Sequence, residues 1–283
     1  MKGYEDLLER AAWFDLSARG RLRVTGEDRR RLLHAMTTQH VEGMQPGESV
    51  YAFFLNAQGR VLADVVLICR EEDFVLDLEP EVREKIMQHL DKYIIADDVT
   101  VEDITDQTAC IAIEGPQAPP PPPSGLVVRH SITGAGGYRV IEWDRSLTCP
   151  LPDADAEAVK TVRVEHGIPR YGDDITESHI AQETGQLQAL HFSKGCYIGQ
   201  EIVERVRSRA ILHRKLMPLR IAGSAVPPPQ TQVNSGADKA GVIYSAVWSP
   251  AEKSVRAIGL MRIDFVEGGR PLEVNGTRVE VVP

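Results

Sequence analysis

The sequence lacks any hydrophobic stretch long enough to cross a bilayer, which takes roughly 20 apolar residues. Its first residues mix acids with apolar positions, so no secretory signal is expected. It also lacks an excess of positive charge, because 32 Lys and Arg face 41 Asp and Glu for a net charge of −9. Such a surface repels phosphate. We therefore expect a cytoplasmic protein that has neither nucleic acid nor a membrane as a partner.

Cysteine is scarce, and its four copies are widely spaced at Cys69, Cys110, Cys149 and Cys196. No Cys-x-x-Cys pair occurs, which argues against a zinc knuckle and against a disulfide framework. We therefore expect no metal site or cluster held by this chain alone. A single thiolate could still give one ligand to a cluster shared with a partner.

The 283 residues are enough for two or three hydrophobic cores, and their periodicity changes along the chain. Before about residue 210, helical and strand patterns alternate and include a hairpin of strands at 49–55 and 60–69. After about residue 215, the pattern is all β and predicts a small barrel or sandwich with a turn at Asn275-Gly276. The proline run 119–123 is predicted to be an exposed connector.

The most informative segment is Lys194–Glu201, which places a thiol, an amine and two glycines directly before a predicted helix. A cation beside a cysteine, close to the amides of a helix N-terminus, stabilises the thiolate and makes it more nucleophilic. Cys196 and Lys194 are therefore candidate reactive groups. The alternative interpretation is a turn that contains a packed cysteine.

This octet resembles the signature of the YgfZ-type folate-binding proteins, Lys-Gly-Cys-Tyr/Phe-x-Gly-Gln-Glu. These proteins are relatives of the glycine-cleavage T protein, an aminomethyltransferase. Residues 163–175 are likewise similar to the T-protein pattern Arg-x-Glu-x-Gly-x-Pro-x-x-Gly-x-Asp-Ile. The resemblance implies that Glu165 recognises the pterin ring of tetrahydrofolate, whose N–H groups suit a carboxylate with two acceptor oxygens. Without it, Glu165 would be expected to pair with Arg163 or Arg170 on the surface.

A third segment, Asn56–Val65, looks like the family pattern Asn-x-x-Gly-x-Ile/Val-x-Asp-Asp. T proteins carry two consecutive aspartates here, at least one of which positions the aminomethyl group near folate N5. This chain has Ala63 in place of the first and keeps the second as Asp64. Loss of a carboxylate at a reacting centre argues against aminomethyl transfer. Asn56 and Asp64 are candidate site residues, with capping of the hairpin as the alternative role.

The resemblance implies an α+β, T-protein-like fold. Two interleaved N-terminal α+β domains within residues 1–210 would surround a central folate channel, and residues 211–283 would form a C-terminal β-barrel. Five cations fall within residues 205–215, and Arg205 among them is a candidate for holding the folate glutamate tail. The candidate catalytic residues are Cys196, Lys194 and Asp64, and the candidate cofactor-binding residues are Glu165, Arg163, Asn56, Tyr197 and Arg205.

Two functions follow from the resemblance. The first is a tetrahydrofolate-binding protein that supports the assembly or repair of iron–sulfur clusters, with reduced folate and iron–sulfur client or assembly proteins as partners. The second is an enzyme, a folate-dependent aminomethyltransferase or another one-carbon transferase. The sequence leaves open whether Cys196 is a nucleophile, a transient cluster ligand or a structural residue.

Overall fold

The computed structural model describes residues 1–122, 125–142, 144, 146, 148–209 and 212–282. Pro123, at the end of the proline run, and Ala210 and Ile211, at the predicted domain boundary, lie outside these ranges. The helices are α1 (Tyr4–Glu9), α2 (Arg29–Met36), α3 (Arg83–Asp91), α4 (Ala156–Glu165), α5 (Gln200–Arg209) and α6 (Ile263–Glu267). Single 3-10 turns cover Pro80–Val82, Ala181–Thr184 and Leu187–Ala189.

The strands form two open sheets and one barrel. The first part of the chain carries β1 (Ala12–Asp15), β2 (Gly20–Thr25), β3 (Ser49–Leu55), β4 (Val61–Cys69), β5 (Phe74–Leu78), β6 (Thr100–Asp103), β7 (Cys110–Glu114), β8 (Leu126–Val128) and β9 (Gly137–Ile141). The last part carries β10 (Arg214–Ile221), β11 (Gln232–Ser235), β12 (Asp238–Ser249), β13 (Ser254–Arg262), β14 (Leu272–Val274) and β15 (Thr277–Val281).

The five-stranded sheet has the order β3-β4-β5-β2-β6, and the four-stranded sheet has the order β1-β7-β9-β8. Apolar side chains of β4 and β5 pack directly against those of β7, β8 and β9, so the two sheets lie face to face. Helices α2 and α3 cover the outer face of the first sheet, whereas α1 and α4 cover β1 and β7 of the second. This arrangement confirms the predicted α+β class of the N-terminal region.

Strand β4 is buried along its whole length because it has a packed layer on each side. Successive side chains of a strand point to opposite faces. Val65 and Leu67 therefore face α2 and α3, and Val66 and Ile68 face the second sheet. By the same alternation, Asp64 points towards the second sheet.

The C-terminal strands close into a barrel of order β10-β13-β12-β11-β14-β15, in which β10 also pairs with β15. This confirms the barrel and not the sandwich. Asn275 and Gly276 have φ values of 51° and 77°, which suits the two-residue turn predicted from their identities. The barrel has its own apolar interior.

Candidate functional site

Two adjoining chambers lie where the sheets, α4 and the chain after it meet. The inner chamber has a volume of about 110 Å³, and its charged lining residues are Arg19, Asp64, Glu79, Arg139, Arg163 and Arg170. The outer chamber has a volume of about 470 Å³, within the range of small-molecule sites. Arg19, Glu79, Arg163 and Arg170 line both, so the two chambers lie side by side and are together called the hollow.

Asp64 is the buried carboxylate of the inner chamber. Tyr51 lies on the same face of the neighbouring strand, two residues from the direct partner of Asp64, and its hydroxyl donates a 2.9 Å hydrogen bond to Oδ2. The other oxygen, Oδ1, is buried and has no hydrogen-bond partner among the described residues. Burial and the nearby Glu79 raise the pKa of Asp64 to about 6, although Arg19 opposes the shift. The group can therefore hold or release a proton near neutral pH.

The aromatic wall of the chamber consists of Tyr51 and His130. Their rings stack with centroids 4.8 Å apart and planes inclined by 17°. Burial, followed by the charges of Arg139 and Arg19, lowers the pKa of His130 to about 3, so its imidazole is neutral at physiological pH. Neither residue was predicted, because an isolated Tyr or His carries no local sequence signal.

A chain of alternating charges connects the second sheet to the segment after α4. Arg139 on β9 pairs with Asp77 on β5, and Asp77 also accepts a 2.9 Å hydrogen bond from Arg19. Glu79 pairs with Arg19 and, at 2.7 Å, with Arg170. Burial alone would raise the pKa of Asp77, but the two arginines hold it below its ordinary value. These ion pairs fix the walls of the hollow, since buried charges need partners.

Helix α4 places Arg163 and Glu165 in different surroundings. Asp155 caps the helix by accepting a 2.7 Å bond from the N–H of Ala158. Arg163 lines the chambers and donates 2.6 Å to Asp174 and 2.7 Å to the carbonyl of Ile168. Glu165 is buried, and its Oε1 accepts a 2.6 Å hydrogen bond from the Tyr4 hydroxyl. It is not among the described residues that line either chamber.

The octet loop holds Lys194, Cys196 and Tyr197 at a separate place. The buried ammonium of Lys194 donates to the carbonyl of His34 and lies 4.6 Å from the centre of the Tyr197 ring. Burial lowers the pKa of Lys194 to about 8, against the opposing effects of Glu42 and Cys196. The Cys196 thiol is exposed, unlike a packed cysteine. The loop therefore presents a thiol to solvent beside a buried amine.

The Asn56 turn supports that loop. Oδ1 of Asn56 accepts hydrogen bonds of 3.0 Å and 2.9 Å from the N–H groups of Gln58 and Arg60, which is the hairpin-capping role. A Cβ on Gly199 would lie only 2.7 Å from the Asn56 carbonyl oxygen, so backbone meets backbone here. The structure thus brings the hairpin turn and the octet together.

The candidate residues therefore fall into separate groups. Asp64 and Arg163 line the chambers, and the octet residues with Asn56 lie beyond them. Arg205 is exposed on α5 and lines neither chamber. Ala63 points to the opposite face of β4 from Asp64 and packs in the helical layer. The expectation that Ala63 removes a carboxylate from the reacting centre is not supported by this geometry.

The sequence and the fold both match known proteins. Residues 3–120 match the GCVT N-terminal domain, and residues 213–283 match the CAF17 C-terminal beta-barrel domain. The chain is therefore similar to the GcvT-like aminomethyltransferases in its N-terminal region and to the CAF17 proteins in its barrel. The crystal structure of the glycine cleavage system aminomethyltransferase T from Bartonella henselae has the same fold, with a TM-score of 0.85, which confirms the expected T-protein-like fold. The sequence identity is 17%, over 99% of this chain and 87% of that one.

Curated relatives carry two kinds of name. An aminomethyltransferase of Rubrobacter xylanophilus is 28% identical over 94% of this chain and 80% of its own length. The mitochondrial iron–sulfur cluster assembly factor IBA57 of Mus musculus is 27% identical over 96% of this chain and 83% of its own length. The names of these relatives therefore correspond to both functions that the sequence left open.

Two features of the described ranges concern metals and membranes. No group of three or more His, Cys, Asp or Glu within them is arranged to hold a metal ion. No helix in the same ranges has the length and apolar character needed to cross a membrane.

Proposed function

We propose that this protein binds tetrahydrofolate in the two chambers and supports the assembly or repair of iron–sulfur clusters, as a YgfZ-type protein. The observation that carries the proposal is the exposed Cys196 thiol beside the buried Lys194 ammonium, outside the chambers. A reaction confined to the chambers has no need of this thiol. The likeness to the IBA57 assembly factor and to the CAF17 barrel supports the same choice.

The chambers have the chemistry that a reduced pterin needs. Oδ1 of Asp64 is a buried acceptor without a partner among the described residues, and ring N–H groups would satisfy it. Tyr51 and His130 offer a flat wall beside it. When bound, tetrahydrofolate supplies nitrogen atoms that carry one-carbon groups. In this proposal Asp64 orients the pterin and can exchange a proton with it.

The role of Glu165 in holding the pterin stays a prediction from the resemblance. Its Oε1 is engaged by Tyr4, so a ligand contact would use the other carboxylate oxygen. Arg163 is held by Asp174 at the edge of both chambers and positions the segment that follows α4. Arg205 lines neither chamber, so its role in holding the folate glutamate tail stays a prediction.

In this proposal, Cys196 gives one ligand to a cluster that a client or assembly protein carries. Thiolate is a preferred ligand of iron in such clusters. The chain's three other cysteines are buried or half-buried, so Cys196 is the thiol that a partner can reach. In this proposal the protein acts in the cytoplasm and has neither nucleic acid nor a membrane as a partner.

A second function, folate-dependent aminomethyl or other one-carbon transfer, is favoured by Asp64. The chamber keeps this carboxylate with a pKa near 6, which suits proton transfer. Ala63 no longer argues against transfer, because that position faces the helical layer. Formation of methylene-tetrahydrofolate from an aminomethyl-lipoyl carrier, together with normal cluster enzymes in a deletion strain, would assign the protein to this function.

Two experiments test the proposal. Calorimetric titration with tetrahydrofolate should show saturable binding that Asp64→Asn weakens by about tenfold, the worth of one charge-assisted hydrogen bond. An equal loss in Glu165→Gln would support the predicted pterin contact of that residue, and no loss would assign Glu165 to its hydrogen bond with Tyr4. Arg220→Lys, in a surface ion pair of the barrel, is the control. In a deletion strain, Cys196→Ala should fail to restore cluster-enzyme activity while Cys149→Ala restores it. Full rescue by Cys196→Ala, or no folate binding by the wild type, would contradict the proposal.

A further inference from the structure

Arg139 is a fully buried arginine whose guanidinium is only half used. It projects from β9, lines the inner chamber and pairs through Nη1 with Asp77. Its Nε and Nη2 atoms are buried and have no hydrogen-bond partner among the described residues. These two atoms lie on one edge of the planar group, and their N–H bonds point in parallel. This edge can donate two parallel hydrogen bonds to the two oxygens of a carboxylate.

The other arginines of the chamber use their donors on the protein itself. Arg19 is bound by Asp77 and Glu79, and Arg163 is bound by Asp174 and a backbone carbonyl. A buried donor without a partner destabilises the folded protein, and the effect is larger when the donor is charged. The two unpaired N–H groups of Arg139 therefore destabilise the folded protein unless a ligand accepts hydrogen bonds from them.

The charge and size of the inner chamber suit a small anion. Four arginines line it against the two carboxylates Asp64 and Glu79, although the whole chain carries a net charge of −9. Lining cations in a low-dielectric hollow attract an anion more strongly than they would in water. The volume of about 110 Å³ has room for a group of several heavy atoms.

We propose that the inner chamber is a carboxylate-binding site in which Nε and Nη2 of Arg139 hold both oxygens of the ligand. The occupant is a small free acid of the size of formate or acetate. The same chemistry could come from a carboxylate of the folate tail, which would occupy the inner chamber in place of the pterin and leave the pterin to the outer chamber; the experiment separates the two sources. The site goes beyond the proposed function, since it stands whether or not the protein binds folate or serves iron–sulfur clusters.

The test is titration of the full chain with sodium formate and with sodium acetate, against sodium chloride at equal ionic strength. Wild type should bind the carboxylates saturably and chloride not at all. Arg139→Lys keeps a cation beside Asp77 but loses the paired Nε–H and Nη2–H donors. The dissociation constant for formate should therefore rise at least about tenfold. Arg220→Lys, the matched exchange in the barrel, should bind as wild type does.

A parallel arm compares tetrahydrofolate with tetrahydropteroate, which lacks the glutamate. In one outcome, formate fails to bind while tetrahydrofolate binds about tenfold more tightly than tetrahydropteroate. If Arg139→Lys then removes this difference, the carboxylate site is supported and its ligand is the carboxylate of the folate tail. Should Arg139→Lys fail to fold, the Nε–H resonance of Arg139 in the wild type provides the readout and should shift on addition of formate. Absence of saturable binding and of any shift in the wild type, with no gain from the glutamate, overturns the proposal and leaves the edge to ordered water.

Discussion

The Tyr4 hydroxyl donates a 2.6 Å hydrogen bond to Oε1 of Glu165, across 161 positions of sequence. The same phenol oxygen accepts a 3.4 Å bond from the N–H of Ala251, in the turn between β12 and β13. Tyr4 therefore joins α1, the last residue of α4 and the barrel. The residue that the family resemblance assigns to the pterin is held in place by the first helix of the chain.

Replacing Tyr4 by Phe should destabilise the protein by about 1–3 kcal/mol, because it leaves a buried carboxylate oxygen without its donor. Urea unfolding near neutral pH measures the change. Tyr93→Phe removes the hydroxyl of a partly exposed tyrosine and should cost far less. Equal effects of the two variants would show that the Tyr4 bond adds nothing to stability.

Asp64 should make the protein less stable as the pH rises. Its pKa is raised by burial from 3.8 to about 6, so between these values the folded state holds a proton that the unfolded chain has released. The free energy of unfolding therefore falls with rising pH in this window, by up to about 3 kcal/mol in total. Asp64→Asn removes the titration and keeps an acceptor for Tyr51.

The difference in unfolding free energy between Asp64→Asn and wild type should therefore grow in favour of the variant from about pH 4 to about pH 7. The contributions of the other titrating groups to the unfolding free energy cancel in that difference, since both proteins share these groups. Urea unfolding at several pH values measures it. A difference that stays constant with pH would mean that Asp64 titrates alike in the folded and unfolded states.

The four cysteines should differ widely in reactivity. Cys196 is exposed, whereas Cys69 and Cys110 are buried, and burial together with the charge of Asp77 raises the pKa of Cys110 to about 12. Ellman's reagent should therefore label one thiol rapidly in the native protein and the buried pair only on unfolding. Cys196→Ala should abolish the rapid phase, and Cys149→Ala should retain it. A rapid phase that survives Cys196→Ala would place the accessible thiol elsewhere.

Gly199→Ala should destabilise the contact between the octet and the hairpin turn. The glycine has φ +84°, and a Cβ there would meet the Asn56 carbonyl oxygen at 2.7 Å. Gly195 has φ +97° but nothing within 4 Å of its Cβ position, so Gly195→Ala bears only the conformational cost. We expect about 1–3 kcal/mol for that cost and at least about 1 kcal/mol more for Gly199→Ala. Equal losses in urea unfolding would show that the backbone contact relaxes freely.

Local patterns predicted the long elements of the fold. The hairpin expected at 49–55 and 60–69 is β3 (Ser49–Leu55) and β4 (Val61–Cys69), because two mostly apolar runs of seven and nine residues and a glycine turn carry enough signal. The short strands β1, β8 and β11 were not predicted. They have three or four residues each, and their pairing with distant strands defines them.

The residues of the site likewise divide into those that the sequence could identify and those that it could not. The octet, the glutamate of α4 and Asp64 could be selected from their motifs. The partners that set their behaviour could not, since Tyr51, His130 and Arg139 lie in no motif. Tyr51 reaches Asp64 through the pairing of β3 with β4, and His130 and Arg139 join the chamber only where the sheets face each other. The direction of Ala63 also needed the strand alternation, and it reversed the argument drawn from its identity.

The amino-acid sequence by itself determined the longer helices and strands, the turn of the barrel hairpin and the family motifs. These features depend on residues within a few positions of one another. The tertiary structure alone decided that Glu165 meets Tyr4, that Asp64 keeps a free oxygen in a hollow lined by arginines, and that Cys196 faces solvent. Such contacts span many tens of residues, and they exist only once two sheets have packed and removed water from the charges between them.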